Sequence, residues 1–324
     1  MRRAEALLTV LLALPAAAEA QTPYPECNQG VIPTSVQNIN LCNAAVDFLR
    51  INHPTAGLLL GGGNPVIGKV TVLGGFPNFS VGVRVNASEF VTPDLNYDGS
   101  TSTVGKDDEI PVPFPTIEAA LGVVDGFGPR RLFAVDLIGS AQVLPVDQLD
   151  NVTVADEATT VGGAALGFGY GGRVAVLRGT GIIPEITGSV MWRSLPRIAV
   201  GDVNAGDNYG GDFNLKTTNL RLMGGWDVGL LKLGLGYGWD WYKGDAHVEV
   251  VDQVGGLVSE RVAVDLDESR TVMYANVGVE FGFFMIAGEA GYQSGSDQDY
   301  KTTFQGVDPG ESRLFGGLGI RFTF

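Results

Sequence analysis

The chain has 324 residues, a formal net charge of −15 and only 18% charged side chains. Binding nucleic-acid phosphates requires clustered Lys and Arg, so the acidic excess argues against a nucleic-acid partner. Hydropathy is slightly positive, yet after the N-terminus no apolar run approaches about 18 residues; a transmembrane helix is therefore excluded, while a soluble β-sandwich and a membrane barrel remain open.

In chain order, Arg2 and Arg3 precede the apolar stretch Leu7–Leu14, and Ala18, Glu19 and Ala20 form a small-x-small cleavage pattern. Residues 1–20 read as an export signal, with a mature start at Gln21. Cys27 and Cys42 follow closely. In an oxidising compartment the favoured reading is a disulfide closing a short loop; a metal site or a reactive thiol are the alternatives, and two sulfurs without a nearby His make a poor zinc set. Leu41, Ala45, Phe48 and Leu49 suggest a short helix over 41–51, and residues 21–75 as a whole read as an N-terminal periplasmic or plug segment.

From residue 76 to 324 the pattern becomes period two. The clearest strand is Leu231–Trp241: Leu231, Leu233, Leu235, Tyr237, Trp239 and Trp241 face one way, while Lys232, Gly234, Gly236, Gly238 and Asp240 face the other. Beyond it the outward phase turns charged at Lys243, Asp245, His247 and Glu249, as expected for a strand leaving a bilayer through an aromatic rim. Similar alternation occurs around Phe79–Asn86, Ile117–Val123, Phe133–Leu137, Leu166–Val176, Glu185–Arg193, Asn219–Val228, Met273–Phe281, Phe284–Tyr292 and the terminal strand. That makes ten; Gly57–Gly63 and Val66–Leu73 would raise the count to twelve. Connections alternate short and long, with long loops expected near 91–115, 145–160, 201–211 and 294–312 and an extended hairpin over about 243–269.

The inward phase carries Arg84, Glu118, Asp136, Arg173, Glu185, Arg193, Arg221, Asp227, Lys232, Asp240, Glu280, Glu289 and Arg321. The near balance of signs favours an occluded, salt-bridged interior over a selectivity filter, since a ten-strand barrel is only slightly wider than one that side chains fill. Arg84 and Arg321 are expected to meet at the closure seam, where the first and last strands pair. Tyr170, Trp192, Trp226, Trp239, Trp241, Tyr292 and Phe324 are expected at the membrane interfaces.

Other chemistry is sparse. Asp94, Asn96 and Asp98 begin a calcium-type loop, but Gly105 stands where a bidentate Glu is needed, unless Asp107, Asp108 or Glu109 folds back. Otherwise no cofactor is expected. His247, flanked by Asp245 and Glu249, is the one candidate base, more simply a solvated strand residue; His53 is the only other imidazole. No Gly-x-Ser-x-Gly elbow is present. Gly61, Gly62, Gly63, Asn64 and Pro65 read as a flexible turn rather than a phosphate loop. Glycosylation sequons at Asn78, Asn86 and Asn151 are discounted.

The last strand, Arg313–Phe324, places Leu318, Ile320, Phe322 and Phe324 on one face and ends on an aromatic. It resembles the closing strand of bacterial outer-membrane β-barrels. The resemblance implies an up-and-down antiparallel barrel in the outer membrane of a Gram-negative-type bacterium, surrounded by outer-membrane lipids and inserted by the barrel-assembly machinery through its C-terminal strand. Asn64-Pro65 after a glycine run faintly resembles the hatch of fatty-acid-type outer-membrane transporters. The leading expectation is a non-enzymatic narrow channel or passive transporter for small or hydrophobic solutes. A structural or surface-interaction barrel with an occluded lumen is the alternative, and a surface enzyme is the remote one.

Overall fold

The computed structural model describes residues 22–28, 35–128, 132–144, 152–154, 160–161, 164–177, 179 and 183–324. The expected export signal and Asn151 lie outside this set. Ten antiparallel strands form the wall: β1 (Phe79–Pro93), β2 (Lys106–Val124), β3 (Val135–Leu144), β4 (Ala164–Leu177), β5 (Glu185–Val200), β6 (Tyr209–Val228), β7 (Leu231–Val250), β8 (Val262–Phe281), β9 (Phe284–Gln293) and β10 (Arg313–Thr323). Each pairs with its neighbours in sequence, and β10 pairs with β1 from Ser80↔Thr323 to Ser88↔Phe315, which closes the barrel and leaves no open edge. Closure is what a spanning sheet requires, because lipid offers no partner for an unpaired backbone group.

Strands β6, β7 and β8 are each 20 residues long, about twice the bilayer requirement. The expected extended hairpin over 243–269 is therefore formed as a continuation of the wall, reaching past the membrane at the long-loop end. There the facing of the strands inverts. In the lower part Leu235, Leu222 and Ile117 point outward and exposed while Arg221, Asp240 and Glu118 are buried. In the upper part Phe213, Leu215, Val248, Val250, Val262 and Val264 are buried inside, while Lys243, Asp245 and Asp265 face water. Below, the solvent of the outer wall is lipid; above, it is water, and each half buries what its solvent rejects.

Inside runs α1 (Val36–Gly61), 26 residues rather than the expected 41–51. Ser35 caps it by accepting from the Asn38 amide at 3.1 Å, and Gly62, at φ +58°, closes it by donating its N–H to the Leu58 carbonyl at 2.7 Å. Pro54 interrupts the hydrogen-bond ladder, and the asparagines are weak helix formers. Tertiary contact overrides both: Leu41, Ala45, Phe48 and Leu49 join the inward apolar residues of the upper wall in one core. Gly57–Gly63 and Val66–Leu73 are not strands; the first ends α1, and the second follows it through the lumen. Phe133, expected in β3, sits just before it in an exposed turn at φ +60°. Two short segments, Thr103–Val104 and Thr303–Phe304, pair in parallel across the long loops.

Candidate functional site: the filled lumen

Below α1 the chain runs through the lower barrel as an irregular segment, residues 62–75, with a turn at Val66–Lys69. Its backbone is gripped by charged side chains of the wall. Glu289 on β9 accepts from the amides of Gly63 and Asn64, both at 2.9 Å. Arg84 on β1 donates to the carbonyls of Asn64 (2.7 Å) and Gly61 (2.8 Å), and pairs with Glu118 on β2 at 2.9 Å. Arg221 on β6 donates to Gly63 (3.0 Å) and Gly62 (2.9 Å), and is held by Asp240 on β7. Lower down, Arg321 donates to the Ile67 carbonyl at 2.7 Å and Arg173 to the Lys69 carbonyl at 2.8 Å. Glu185 accepts from Val72 at 3.1 Å, and Asp136, itself paired with Arg173 at 2.6 Å, accepts from Leu73.

The arrangement has a simple chemical logic. A peptide that is neither helix nor sheet leaves most of its buried donors and acceptors without a backbone partner of its own. Carboxylates meet the N–H groups, guanidinium groups meet the carbonyls, and the charges also pair with one another. Charge-assisted bonds of this kind are about twice as strong as neutral ones. The run Gly61–Pro65 is thus a buried, clamped junction and not a free turn.

The remaining inward charges have other settings. Arg193 donates to Asn219 on β6, which donates to Asp240 at 2.6 Å. Lys232 bridges Asp227 and Glu280 at 3.1 and 3.2 Å at the short-turn rim, where Asp227 is half exposed. Arg84 and Arg321 are on adjacent paired strands, but opposite Gly319 and Gly82 respectively, and each turns to the threaded segment. Asn86, on the inward phase of β1, and Tyr242 belong to the site as well. Asn86 donates to the Leu59 carbonyl at 2.9 Å, and the Tyr242 hydroxyl donates to Asp240 at 2.9 Å. Their inward phase was the available signal; being uncharged, they did not stand out.

At the upper end the polar residues of α1 reach the wall and loops. Asn52 donates to the Val91 carbonyl (3.0 Å) and accepts from the Val91 amide (3.1 Å), pairing like a strand neighbour. Asn40 donates to the Gly99 carbonyl at 2.9 Å, and Asn38 to Asp252 at 2.7 Å. Asp47 accepts from the Tyr24 hydroxyl and from the amides of Lys301 (2.9 Å) and Thr302 (2.6 Å). Burial pushes the Asp47 carboxyl up to about 6 despite these bonds, and burial beside Asp47 pushes the Tyr24 hydroxyl upward. Cys27 and Cys42 form a disulfide with Cα atoms 5.8 Å apart.

The calcium-type residues do local work. Asp94 accepts from the Asn96 amide at 3.0 Å and Asp98 from the Ser100 amide at 2.9 Å, both turn bonds. The side chains of Asp107, Asp108 and Glu109 lie outside the described set. Among the described residues no group of three or more His, Cys, Asp or Glu gathers as a metal site. His247 departs from expectation: its Nδ1 lies 3.1 Å from Asp212 across the strand pair, rather than against Asp245 or Glu249, and 2.9 Å from Arg197. Asp212 is also paired with Arg197 and Arg261, and partial burial followed by Arg197 pushes the imidazole pKa down. The cluster lies on the outer wall above the apolar belt.

That belt is bounded by aromatics. Near the long-loop side, Tyr170 and Trp192 are register partners with rings 5.7 Å apart, and Trp192 and Trp241 flank Thr218. Trp239 and Tyr292 are exposed just below. At the short-turn rim Phe324 stacks on Phe79 at 5.0 Å and on Phe283 at 6.2 Å, with Trp226 opposite Leu233. Ten residue steps from Leu231 to Trp241, tilted as barrel strands are, make a band roughly 25 Å tall.

A closed antiparallel barrel with such a belt is the architecture of bacterial outer-membrane β-barrel proteins, and this fold is of that class. No protein-family profile matches the sequence, and no curated protein matches it significantly. Among solved structures, the outer membrane protease OmpT from Escherichia coli aligns at 10% identity over 79% of this chain and 99% of that one, with a TM-score of 0.41. The translocator domain of autotransporter NalP from Neisseria meningitidis aligns at 11% identity over 87% and 99%, with a TM-score of 0.42. Ail, the attachment invasion locus protein of Yersinia pestis, aligns at 12% over 76% and 98%, with a TM-score of 0.30. These likenesses are of architecture alone.

Proposed function

We propose that the protein is a surface-interaction or structural barrel with an occluded lumen, and not an open channel. The observation that carries this reading is the use of the lumen charges. A pore that selects ions keeps its charged groups facing water; here Arg84, Arg173, Arg221, Arg321, Asp136, Glu185 and Glu289 are bonded to the backbone of the chain's own threaded segment. What the barrel presents to its surroundings is then its long-loop end. Those loops are tied together by the Thr103–Thr303 pairing and by the Asn208 side chain, which donates to the Asn96 and Tyr97 carbonyls. A pinned polar rim suits binding more than gating. The reading assigns no catalytic step and no cofactor, and insertion by the barrel-assembly machinery through β10 belongs with it.

Planar-bilayer recording of the purified full chain tests the proposal. The expected trace has no discrete conductance steps, and liposomes carrying the protein take up no small sugar. Stable steps with solute uptake would overturn the occluded reading and restore the passive channel.

A further inference from the structure

We infer that residues 22–28, ahead of α1, are displayed on the outside of the cell, so that the chain threads this part of itself outward through its barrel. The path of the chain gives the direction. At the short-turn end, Gly75 donates to Asp125 in the β2–β3 connection, and Asn78 meets Gly122 just before β1 begins. Going backwards from there, Leu73 and Val72 meet the lower residues Asp136 and Glu185, Ile67 meets Arg321, and Gly63 meets Glu289. The helix then climbs for 26 residues, about 39 Å, which exceeds the roughly 30 Å of bilayer hydrocarbon.

Its start lies among the long loops. Asn38 meets Asp252 and Gln253 of the β7–β8 loop, and Asn40 meets Gly99 and Thr101 of the β1–β2 loop. The segment Thr22–Asn28 stays at that end. Tyr24 donates its hydroxyl to the Asp299 carbonyl of the β9–β10 loop at 3.2 Å as well as bonding Asp47, Glu26 pairs with Arg50 at 3.2 Å, and Cys27 is joined to Cys42. Thr22, Pro25 and Asn28 are exposed there.

Outer-membrane barrels keep short turns in the periplasm and long loops outside. In this barrel the two-residue links Gly229–Leu230 and Gly282–Phe283 are at the end where β1 begins and β10 finishes. The end that holds Tyr24 and Cys27 is therefore the extracellular one. The display is independent of conductance: it concerns which side the segment occupies, whether or not ions pass.

Labelling of intact Gram-negative cells tests this. The probe is a membrane-impermeant amine-reactive biotin on the full chain carrying Thr22→Lys, an exposed position, with label sites read by peptide mass spectrometry. Lys243, exposed above the belt, is the outer reference, and Leu230→Lys, an exposed position of the Gly229–Leu230 link, is the inner one. The expected result is label at position 22 on intact cells comparable with that at Lys243, and label at position 230 only after permeabilisation. Label at position 22 that needs permeabilisation, while Lys243 reacts on intact cells, overturns the inference; so does the reverse reactivity of Lys243 and position 230, which would invert the barrel. An epitope inserted between Gln21 and Thr22, read with antibody on intact cells, gives the same decision without relying on lysine chemistry.

Discussion

At the scale of single residues, Asp47 illustrates how the interior trades solvation for order. Its carboxylate is buried, accepts three hydrogen bonds and joins three separate parts of the chain: Tyr24, α1 and the Lys301–Thr302 loop. Burial outweighs those bonds and raises its pKa to about 6, against an ordinary value near 4. The sign of the linkage follows. Between about pH 4 and pH 6 the closed contact holds a proton that the opened one releases, so closing is favoured on the acid side. That advantage is lost as pH rises through about 6. A shift of this size corresponds to about 1–3 kcal/mol. Hydrogen exchange should therefore find the Lys301 and Thr302 amides better protected at pH 5 than at pH 7, once intrinsic rates are corrected. Asp47→Asn should flatten the difference, and protection that instead rises with pH in the wild type would contradict the assignment.

At the scale of elements, α1 and the wall differ in how far the sequence revealed them. The strands were legible because a bilayer imposes an alternation that each one writes independently: Leu231–Trp241 and Leu318–Phe324 read out directly. The disulfide followed from compartment and proximity. The helix was foreseen only over 41–51, since Asn52, His53, Pro54 and Gly57 are poor local evidence for continuing it. Their reason lies in the wall. Asn52 answers Val91, and Gly57 sits where the Tyr242 ring leaves no room for a side chain, a Cβ there falling 2.2 Å from a ring carbon. The clamp was half legible: its charges were identified as inward, but their partners are main-chain groups, which no residue identity announces. Gly57→Val should accordingly prevent α1 from seating while leaving the barrel ladder intact. Its expected signature is faster hydrogen exchange of the α1 amides than in the wild type, with the heat-modifiable mobility of a folded barrel retained. Gly188→Ala, a substitution on the outward face of β5, should leave α1 exchange unchanged. Unchanged α1 exchange in Gly57→Val would show that the helix tolerates the bulk and that the Tyr242 contact does not set its fit.

At the scale of the whole molecule, the inversion of the wall organises everything else. The same strand, β7, is apolar outside and polar inside up to Trp241, then charged outside and apolar inside from Lys243 to Val250. The inward half of that signal, Ala246, Val248 and Val250, stood in the sequence beside the charged outward run, yet its meaning depends on α1 being there to pack against. The lower half behaves as a membrane barrel around a hydrogen-bonded peptide; the upper half behaves as a water-soluble barrel around an apolar helix core. Charge placed on the outer wall should therefore have opposite consequences in the two halves. Leu235, 60% exposed and midway along the belt, faces lipid, and Leu235→Arg should lower folding stability in vesicles by about 2–4 kcal/mol. Ala263 is also exposed and outward but lies in the upper half of β8, opposite His247. Ala263→Arg should stay within about 1 kcal/mol of the wild type, the scale of exposed charge–charge interactions such as the one it would gain beside His247. Urea titration of refolding into vesicles measures both. Equal penalties would place Ala263 in lipid too and move the upper boundary of the membrane above the Trp241 rim, whereas no penalty at Leu235 would remove the belt from the bilayer altogether.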